Sequence, residues 1–201
     1  MAHAMMTVDP WPIKLQEQIS PVASLSIREI DISIAAAFQD ELSEEWLEEV
    51  VSRALQVALP PDEPGQVSLA MVDDATIKAL NLQYRGVDEI TDVLSFSTVH
   101  QGHWEGGDGL PAGNGQQYPS DFVFPTGEVP PLGEVIICYP QALRQARDRN
   151  ESVLGEVALL IVHGVLHLVG HDHLDVEDTA AMKAKEQAAL ETLIPAGADN
   201  L

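Results

Sequence analysis

The amino-acid sequence predicts a single domain that contains both β-strands and α-helices. Its 201 residues, of which 45% are hydrophobic, can enclose one substantial core but are too few for two domains to be the default. Segments with the apolar periodicity of strands alternate with segments that have the periodicity of helices. We therefore expect about four strands and about five helices around one core.

The first half of the chain is predicted to alternate strand, helix, strand and helix. Branched apolar residues mark the strands, and apolar residues three to four positions apart mark the helices. Asp73 or Asp74 can cap the second helix, because an aspartate side chain accepts hydrogen bonds from the free N–H groups of a first turn. The predicted elements are strands at Ser24–Ile34 and Val67–Val72 and helices at Gln39–Leu59 and from Asp74 to about Tyr84.

The second half is predicted to contain two further strands and three helices. Pro140 suits the first turn of a helix, Gly170 suits the end of one, and Asp175 can cap the last. The predicted elements are strands at Asp92–Ser97 and Gly133–Cys138 and helices at Pro140–Arg149, at Ser152–Val169 and from Asp175 to about Leu193.

A segment rich in glycine and proline, residues 100–131, separates the last two predicted strands. Its seven glycines and five prolines are too many for regular structure, so we predict a long flexible insertion and favour disorder over a functional loop. The predicted folded domain spans residues 24–193. Residues 1–23 are predicted to be an N-terminal extension, for which disorder is one interpretation, and residues 194–201 a C-terminal tail.

The charge of the chain argues against nonspecific nucleic-acid binding. There are 32 acidic and 10 basic residues, and the formal net charge of −22 repels a polyanion at long range. Arg144, Arg147 and Arg149 nevertheless lie close together in sequence, so a local cationic face is compatible with the composition.

Cysteine content and hydropathy favour a cytoplasmic protein without a membrane partner. Cys138 is the sole cysteine, so the chain forms no intramolecular disulfide, and its apolar strand predicts a buried and inert thiol. The longest apolar run, Val157–Val169, is shorter than the roughly 20 residues of a membrane span. Met1–Pro12 lacks the pattern of a signal peptide.

Three histidines in the run HGVLHLVGHDH, which begins at His163, have the spacing of a metal site. His163 and His167 are four positions apart, so a helix presents both imidazoles on one face. Gly170 allows the helix to end in a left-handed turn that can bring His173 back to that face. Three protein ligands leave the fourth position of a tetrahedral zinc open, as in catalytic sites. We predict one Zn²⁺ per chain, with His171 as the alternative third ligand.

The polar residues near these histidines predict a role in the metal site less specifically than the histidines do. Asp172, Asp175 and Glu156 are candidates for a carboxylate that orients a ligating imidazole, although capping or exposure to solvent is the more ordinary use of such residues. Thr91 and Asp92 precede a predicted strand, where capping or turn formation is the expected role.

The histidine spacing also coincides with a peptidase pattern, H-E-x-x-H-x-x-G-x-x-H. The glutamate of that pattern is the general base of peptide hydrolysis, and Gly164 occupies its position here. A metallopeptidase-like zinc hydrolase is therefore the alternative and not the first hypothesis.

Three segments resemble the YbeY family, in the order in which that family has them. The run that begins at His163 is similar to its H-G-x-L-H-L-x-G-[YH]-D-H signature. The segment LNLQYRGVDEITDVLSF, residues 80–96, resembles L-N-x-x-Y-R-x-x-x-x-x-T-D-V-L-S-F, and LGEVIIC, residues 132–138, resembles the strand L-G-D-I-x-I. The resemblance extends over about Ser24–Leu193, apart from the insertion.

This resemblance implies an α+β fold with a roughly four-stranded mixed sheet packed against about five helices. It implies zinc bound by His163, His167 and His173. It further implies a single-strand-specific, zinc-dependent endoribonuclease that acts in ribosomal RNA maturation and ribosome quality control, with the ribosomal small subunit or assembly factors as partners. A noncatalytic ribosome-assembly factor with structural zinc is a further alternative.

The expected catalytic residues are His167 and Arg85. Zinc lowers the pKa of a bound water to about 7, and the hydroxide so formed can attack an RNA phosphodiester. Arg85 matches the functional arginine of the family, and a planar, permanently charged guanidinium suits a phosphate. The alternative for Arg85 is a salt bridge to Asp88 or Asp92.

Overall fold

A four-stranded mixed sheet forms the centre of the fold. The computed structural model describes residues 28–98, 128–171, 176–191 and 193. The strands are β1 (Arg28–Ile34), β2 (Gly65–Val72), β3 (Val93–Ser97) and β4 (Pro131–Cys138). The helices are α1 (Glu44–Ala58), α2 (Asp74–Arg85), α3 (Tyr139–Arg149), α4 (Val153–Leu168) and α5 (Val176–Leu190), and a short 3-10 helix lies at Ala36–Phe38. The predicted α+β domain with four strands and five helices is confirmed.

The strand order in the sheet is β1-β2-β4-β3. β1 pairs with β2 and β2 with β4 in parallel, whereas β3 runs antiparallel to β4. The sheet is therefore mixed, as predicted, and β3 lies at its edge beyond the last strand in sequence.

Helix starts follow their capping residues. α1 begins at Glu44 and not at the predicted Gln39, because the hydroxyl of Ser43 accepts a hydrogen bond from the N–H of Trp46 at 3.3 Å. Asp73 is the cap of α2, since its Oδ1 accepts from the N–H of Thr76 at 2.8 Å. The predicted cap of α5, Asp175, lies outside the described residues.

Most of the predicted insertion also lies outside the described residues, but its end belongs to the sheet. The carbonyl of Pro130 accepts a hydrogen bond from the N–H of Gln66 at 2.9 Å, and Pro131 is the first residue of β4. A proline is tolerated there because only the start of a strand can lack an N–H donor without losing an inner ladder bond.

Alternate residues of the strands face two separate cores. Val135 and Ile137 of β4 pack in the larger core, which α1 and α4 cover. Ile136 and Cys138 point to the other face of the sheet, where they pack with Ile77 of α2. α2 and α4 thus lie on opposite faces of the sheet.

α4 crosses β4 and β3 on the face of the sheet that carries the larger core. The hydroxyl of Ser97, at the end of β3, donates to the carbonyl of Leu168 at 2.7 Å, which fixes the last turn of the helix. No single helix in the described ranges is long and apolar enough to cross a bilayer. α3 and α4 together have sufficient length and apolar composition, but they are bent by 120° relative to each other.

Candidate metal centre

α4 places His163 and His167 side by side, as the spacing predicts. From Ile161 to Leu168 these two histidines are the only residues that are not buried, so the helix turns its single accessible strip toward the site. The Nε2 atoms of the two imidazoles are 3.1 Å apart, and the rings meet edge to face at 80°. Two unprotonated ring nitrogens at this distance repel each other, so a proton or a cation must lie between them.

The paired nitrogens fit a zinc ion. Zinc binds histidine nitrogen at about 2.0–2.1 Å, so two such ligands of one tetrahedral ion lie about 3.3–3.4 Å apart. The observed 3.1 Å between the Nε2 atoms of His163 and His167 is close to that separation. The other nitrogen of His163, Nδ1, lies 2.8 Å from Oε1 of Glu186 on α5. A carboxylate behind a ligating histidine is the usual support of a metal site.

Glu186 was not among the sequence candidates for this supporting carboxylate. Glu156, which was, forms an ion pair with Arg149 at 2.7 Å, while Asp172 and Asp175 lie outside the described residues. Glu156 thus has an ordinary polar contact, the use favoured for it over the orientation of an imidazole. The available signal for Glu186 was its place on an apolar stripe of α5, four residues after Met182.

The third ligand stays a prediction. His173 lies outside the described residues, and in the described part of the chain no group of three or more His, Cys, Asp or Glu residues could hold a metal. His171 is described, and its N–H donates to the carbonyl of Leu166 at 3.0 Å. Gly170 has the predicted left-handed conformation, with φ of 88°, at the end of α4.

Gly164 faces the sheet and not the histidine pair. A Cβ at this position would lie 2.6 Å from Cγ1 of Val135 and 3.0 Å from Oγ of Ser95. The residue therefore permits the close approach of α4 to β4 and β3. A glutamate here, as in the peptidase pattern, would be driven into the core.

A cleft of about 370 Å³ opens beside His163 between α4 and α5. Arg149 and Lys183 bring positive charge to its wall, and Glu186 is also part of it. Glu156, at the base, is nearly fully buried, and this burial raises the pKa of its carboxyl although the guanidinium of Arg149 acts in the opposite direction. The cleft combines both signs of charge and is not a continuous cationic surface.

Arg85 is the last residue of α2, the helix whose Ile77 packs on the face of the sheet opposite α4. It is not among the residues that line the cleft beside His163. The two carboxylates considered as its partners have other contacts. Asp88 pairs with Lys78 at 3.3 Å, and Asp92 accepts from the side-chain amide of Gln145 at 2.9 Å.

The remaining motif residues have local structural contacts. The side-chain amide of Asn81 donates to the carbonyl of Glu89 at 2.8 Å and so holds the turn between α2 and β3. Asp92 Oδ1 accepts from the N–H of Val93 at 2.8 Å and from the hydroxyl of Thr91 at 3.2 Å. These bonds agree with the expected turn-forming role of this pair.

Cys138 is a buried thiol on the α2 side of the sheet. Its Sγ donates to Oδ1 of Asp74 at 3.1 Å, and Arg144 clamps the same carboxylate with two hydrogen bonds of 2.7 and 3.0 Å. Burial, followed by the bond to Asp74, raises the pKa of the thiol to about 12. Cys138 is thus protonated near neutral pH. The clamp also neutralises one of the three arginines of the predicted cationic face.

Comparison with known proteins shows which family the chain resembles in sequence. Residues 29–194 match the YbeY family model, which is described as endoribonuclease YbeY. The chain is 39% identical to Endoribonuclease YbeY of Dehalococcoides mccartyi (strain ATCC BAA-2266 / KCTC 15142 / 195) over 162 residues, which cover 81% of this chain and 88% of the relative. It is 41% identical to Endoribonuclease YbeY of Moorella thermoacetica over 149 residues, or 73% of this chain and 86% of that protein.

Proposed function

The chain belongs to the YbeY endoribonuclease family, and from this membership we propose that it is a zinc-dependent endoribonuclease that cleaves single-stranded RNA. We further propose that it acts in ribosomal RNA maturation and ribosome quality control. This assignment makes RNA its substrate and the ribosomal small subunit or assembly factors its partners, with the cytoplasm as its location.

The observation that carries the proposal is the pair of Nε2 atoms, 3.1 Å apart, on the accessible strip of a buried helix. A histidine pair that served packing alone would not need to expose both rings at one point while all six residues around them from Ile161 to Leu168 are buried. The contact of His163 with Glu186 supports the same assignment, because it places the proton of a neutral His163 on Nδ1 and the lone pair on Nε2.

His163, His167 and His173 are the proposed ligands of one zinc per chain. When bound, the ion would supply an activated water near neutral pH and charge neutralisation for a phosphate oxygen. The protein contributes the fixed orientation of the two imidazoles on α4 and a cleft in which an RNA segment can lie beside His163.

Arg85 is proposed to contact an RNA phosphate. The helix that ends at Arg85, α2, packs on the face of the sheet opposite α4. A polymeric substrate is compatible with this placement, because one RNA strand presents several phosphates.

Peptide hydrolysis is disfavoured by the packing of Gly164. The general base of the similar peptidase pattern would follow directly after the first histidine. At that position the chain has no side chain, and the space that a side chain would need is filled by Val135 and Ser95. A peptidase would therefore need a base from elsewhere.

The first test measures zinc content and RNA cleavage on the same protein. We expect about one zinc per chain, its loss in the double variant His163→Ala/His167→Ala, and cleavage of single-stranded RNA that disappears with a chelator and returns with zinc. His173→Ala should lose more zinc than His171→Ala. A peptide substrate serves as the negative control. Zinc binding without cleavage of any RNA would favour the noncatalytic assembly factor.

The second test separates Arg85 from the metal. Arg85→Ala should keep its zinc and its fold while RNA cleavage falls about 10- to 1000-fold, the cost of one charged transition-state contact. Arg85→Lys should recover only part of the rate, because lysine lacks the planar fork. Arg53→Ala, on α1, is the matched control for the loss of one positive charge. Unchanged cleavage by Arg85→Ala would place the residue in a structural role.

A further inference from the structure

Glu186 occupies a packing position on α5. The positions four residues before it and three residues after it, Met182 and Ala189, are buried at 2% and 1% exposure, so all three lie on one face of the helix. The side chain of Glu186 is itself only 16% exposed. A carboxylate on such a face loses hydration, and it is retained without penalty only if a partner replaces the lost water.

The partner on α4 is His163, whose Nδ1 lies 2.8 Å from Oε1 of Glu186. An ionised carboxylate can only accept a hydrogen bond, so the proton of a neutral His163 has to be on Nδ1. The lone pair is then on Nε2, the atom that faces His167 at 3.1 Å. Glu186 therefore selects the tautomer that a metal ligand needs.

The position of Glu186 is fixed from outside the site. Next to it, the ammonium of Lys185 donates to the carbonyl of Val57 at 3.0 Å, near the end of α1. This bond ties α5 to α1, and Met182 and Ala189 anchor the helix in the larger core. The carboxylate is thus presented by a docked helix and not by a mobile side chain on a loop.

We propose that Glu186 is a positioning residue of the metal centre, which holds the His163 ring in its Nδ1-protonated form and thereby sets the affinity for zinc. This inference rests on the proposed zinc dependence. It differs from a purely structural pairing of α4 with α5, in which Glu186 would contribute to the stability of the protein and leave metal affinity unchanged.

The test compares zinc affinity with the stability of the metal-free protein. Zinc affinity is measured by competition with a chromophoric chelator for the wild type, Glu186→Ala, Glu186→Gln and Glu191→Gln. Glu186→Ala should weaken zinc binding about 10- to 100-fold, the usual effect of losing such a carboxylate. Glu186→Gln should weaken it less, because the amide oxygen still accepts from Nδ1 but has no charge. Glu191→Gln removes an exposed carboxylate near the end of the same helix and should bind zinc as the wild type does.

Three results would overturn the inference. Wild-type affinity in Glu186→Ala, with a lower midpoint of metal-free unfolding, would make the contact structural only. If the wild type binds no zinc, the proposed zinc dependence fails together with this inference. If the wild type binds zinc and Glu186→Ala binds it equally well, only this inference is refuted. A readout independent of any variant is the ¹H–¹⁵N spectrum of the metal-free wild type at alkaline pH. We expect the Nδ1–H tautomer for His163, and an Nε2–H tautomer would contradict the proposal.

Discussion

Replacing Gly164 with alanine should destabilise the protein, although alanine is the better helix former. Gly164 lies where α4 crosses the sheet, and a new Cβ would be 2.6 Å from Cγ1 of Val135 and 3.0 Å from Oγ of Ser95. Because interiors are close-packed, the helix or the strand has to move. Val135 is fully buried, and its branched side chain has little rotamer freedom with which to retreat.

The magnitude follows from two opposing contributions. Replacing a helical glycine by alanine gains about 1 kcal/mol from helix propensity. Forcing one extra methyl group into a packed core costs about 1–3 kcal/mol, and contacts with both Val135 and Ser95 favour the upper part of that range, about 2–3 kcal/mol. The net loss in the free energy of unfolding is about 1–2 kcal/mol, which for a chain of this size lowers Tm by about 2–8 °C.

Calorimetry on the metal-free protein would measure this effect without a contribution from ion binding. The control repeats Gly164→Ala in a Val135→Ala background, where the atoms of Val135 that cause the shortest contact are gone. There the alanine should cost little or stabilise the protein by up to about 1 kcal/mol. A higher Tm for Gly164→Ala alone, or equal effects in the two backgrounds, would refute the argument from packing.

Three other perturbations test the site and its surroundings. Removal of zinc by a chelator should leave the far-ultraviolet circular dichroism unchanged, because the residues beside His163 and His167 in α4 are already buried in an apolar core; loss of helix would indicate a structural metal. Asp74→Asn should lower stability at neutral pH by up to about 1 kcal/mol, the contribution of a partly exposed pair with Arg144. The hydrogen bond from Arg144 holds the pKa of Asp74 below its ordinary value of 3.8. The stabilisation by this pair is therefore present above pH 3.8 and is lost as the pH falls through the pKa of Asp74 in the folded protein. Denaturant curves of the wild type and of Asp74→Asn should accordingly converge in acid. Cys138 should react with iodoacetamide only after unfolding, because burial raises the pKa of its thiol to about 12; rapid labelling of the native protein would contradict this.

The histidine pair could be predicted because its geometry is local. Once residues 153–168 form a helix, a spacing of four positions is enough to place His163 beside His167. The left-handed Gly170 is equally local, since it depends on the end of one helix. Both predictions required only the apolar periodicity of α4 and the positions of three residues.

Glu186 could not be predicted in the same way, because it lies 23 positions after His163, on a different helix. The face of α5 that meets α4 depends on tertiary packing. The sequence between the two helices does not determine how α5 is rotated about its axis. Glu156 was the nearer carboxylate in sequence, seven residues before His163, yet the helix places it against Arg149. Proximity in sequence therefore does not identify the carboxylate that contacts His163, because this contact depends on how α5 packs against α4.

The position of Arg85 was hidden by the topology of the sheet. The sequence orders β3 before β4, but β4 lies between β2 and β3 in the sheet. The motif that contains Arg85 thus packs by α2 against one face, while the histidine motif packs by α4 against the other. A sequence motif does not state on which face of the sheet its helix lies.

The charges of the structure constrain how RNA can be held. The exposed face of α1 is acidic, and of the three arginines near the end of α3, Arg144 pairs with Asp74 and Arg149 with Glu156. General attraction therefore cannot supply much of the affinity, and a small number of phosphate contacts has to do so. Each contact on a single strand contributes about 0.7 to the slope of log affinity against log salt, so the slope should be shallow and Arg85→Ala should reduce it by about that amount. We therefore expect such an enzyme to select RNA by whether a strand can reach the proposed histidine site, because its surface does little to concentrate RNA in advance.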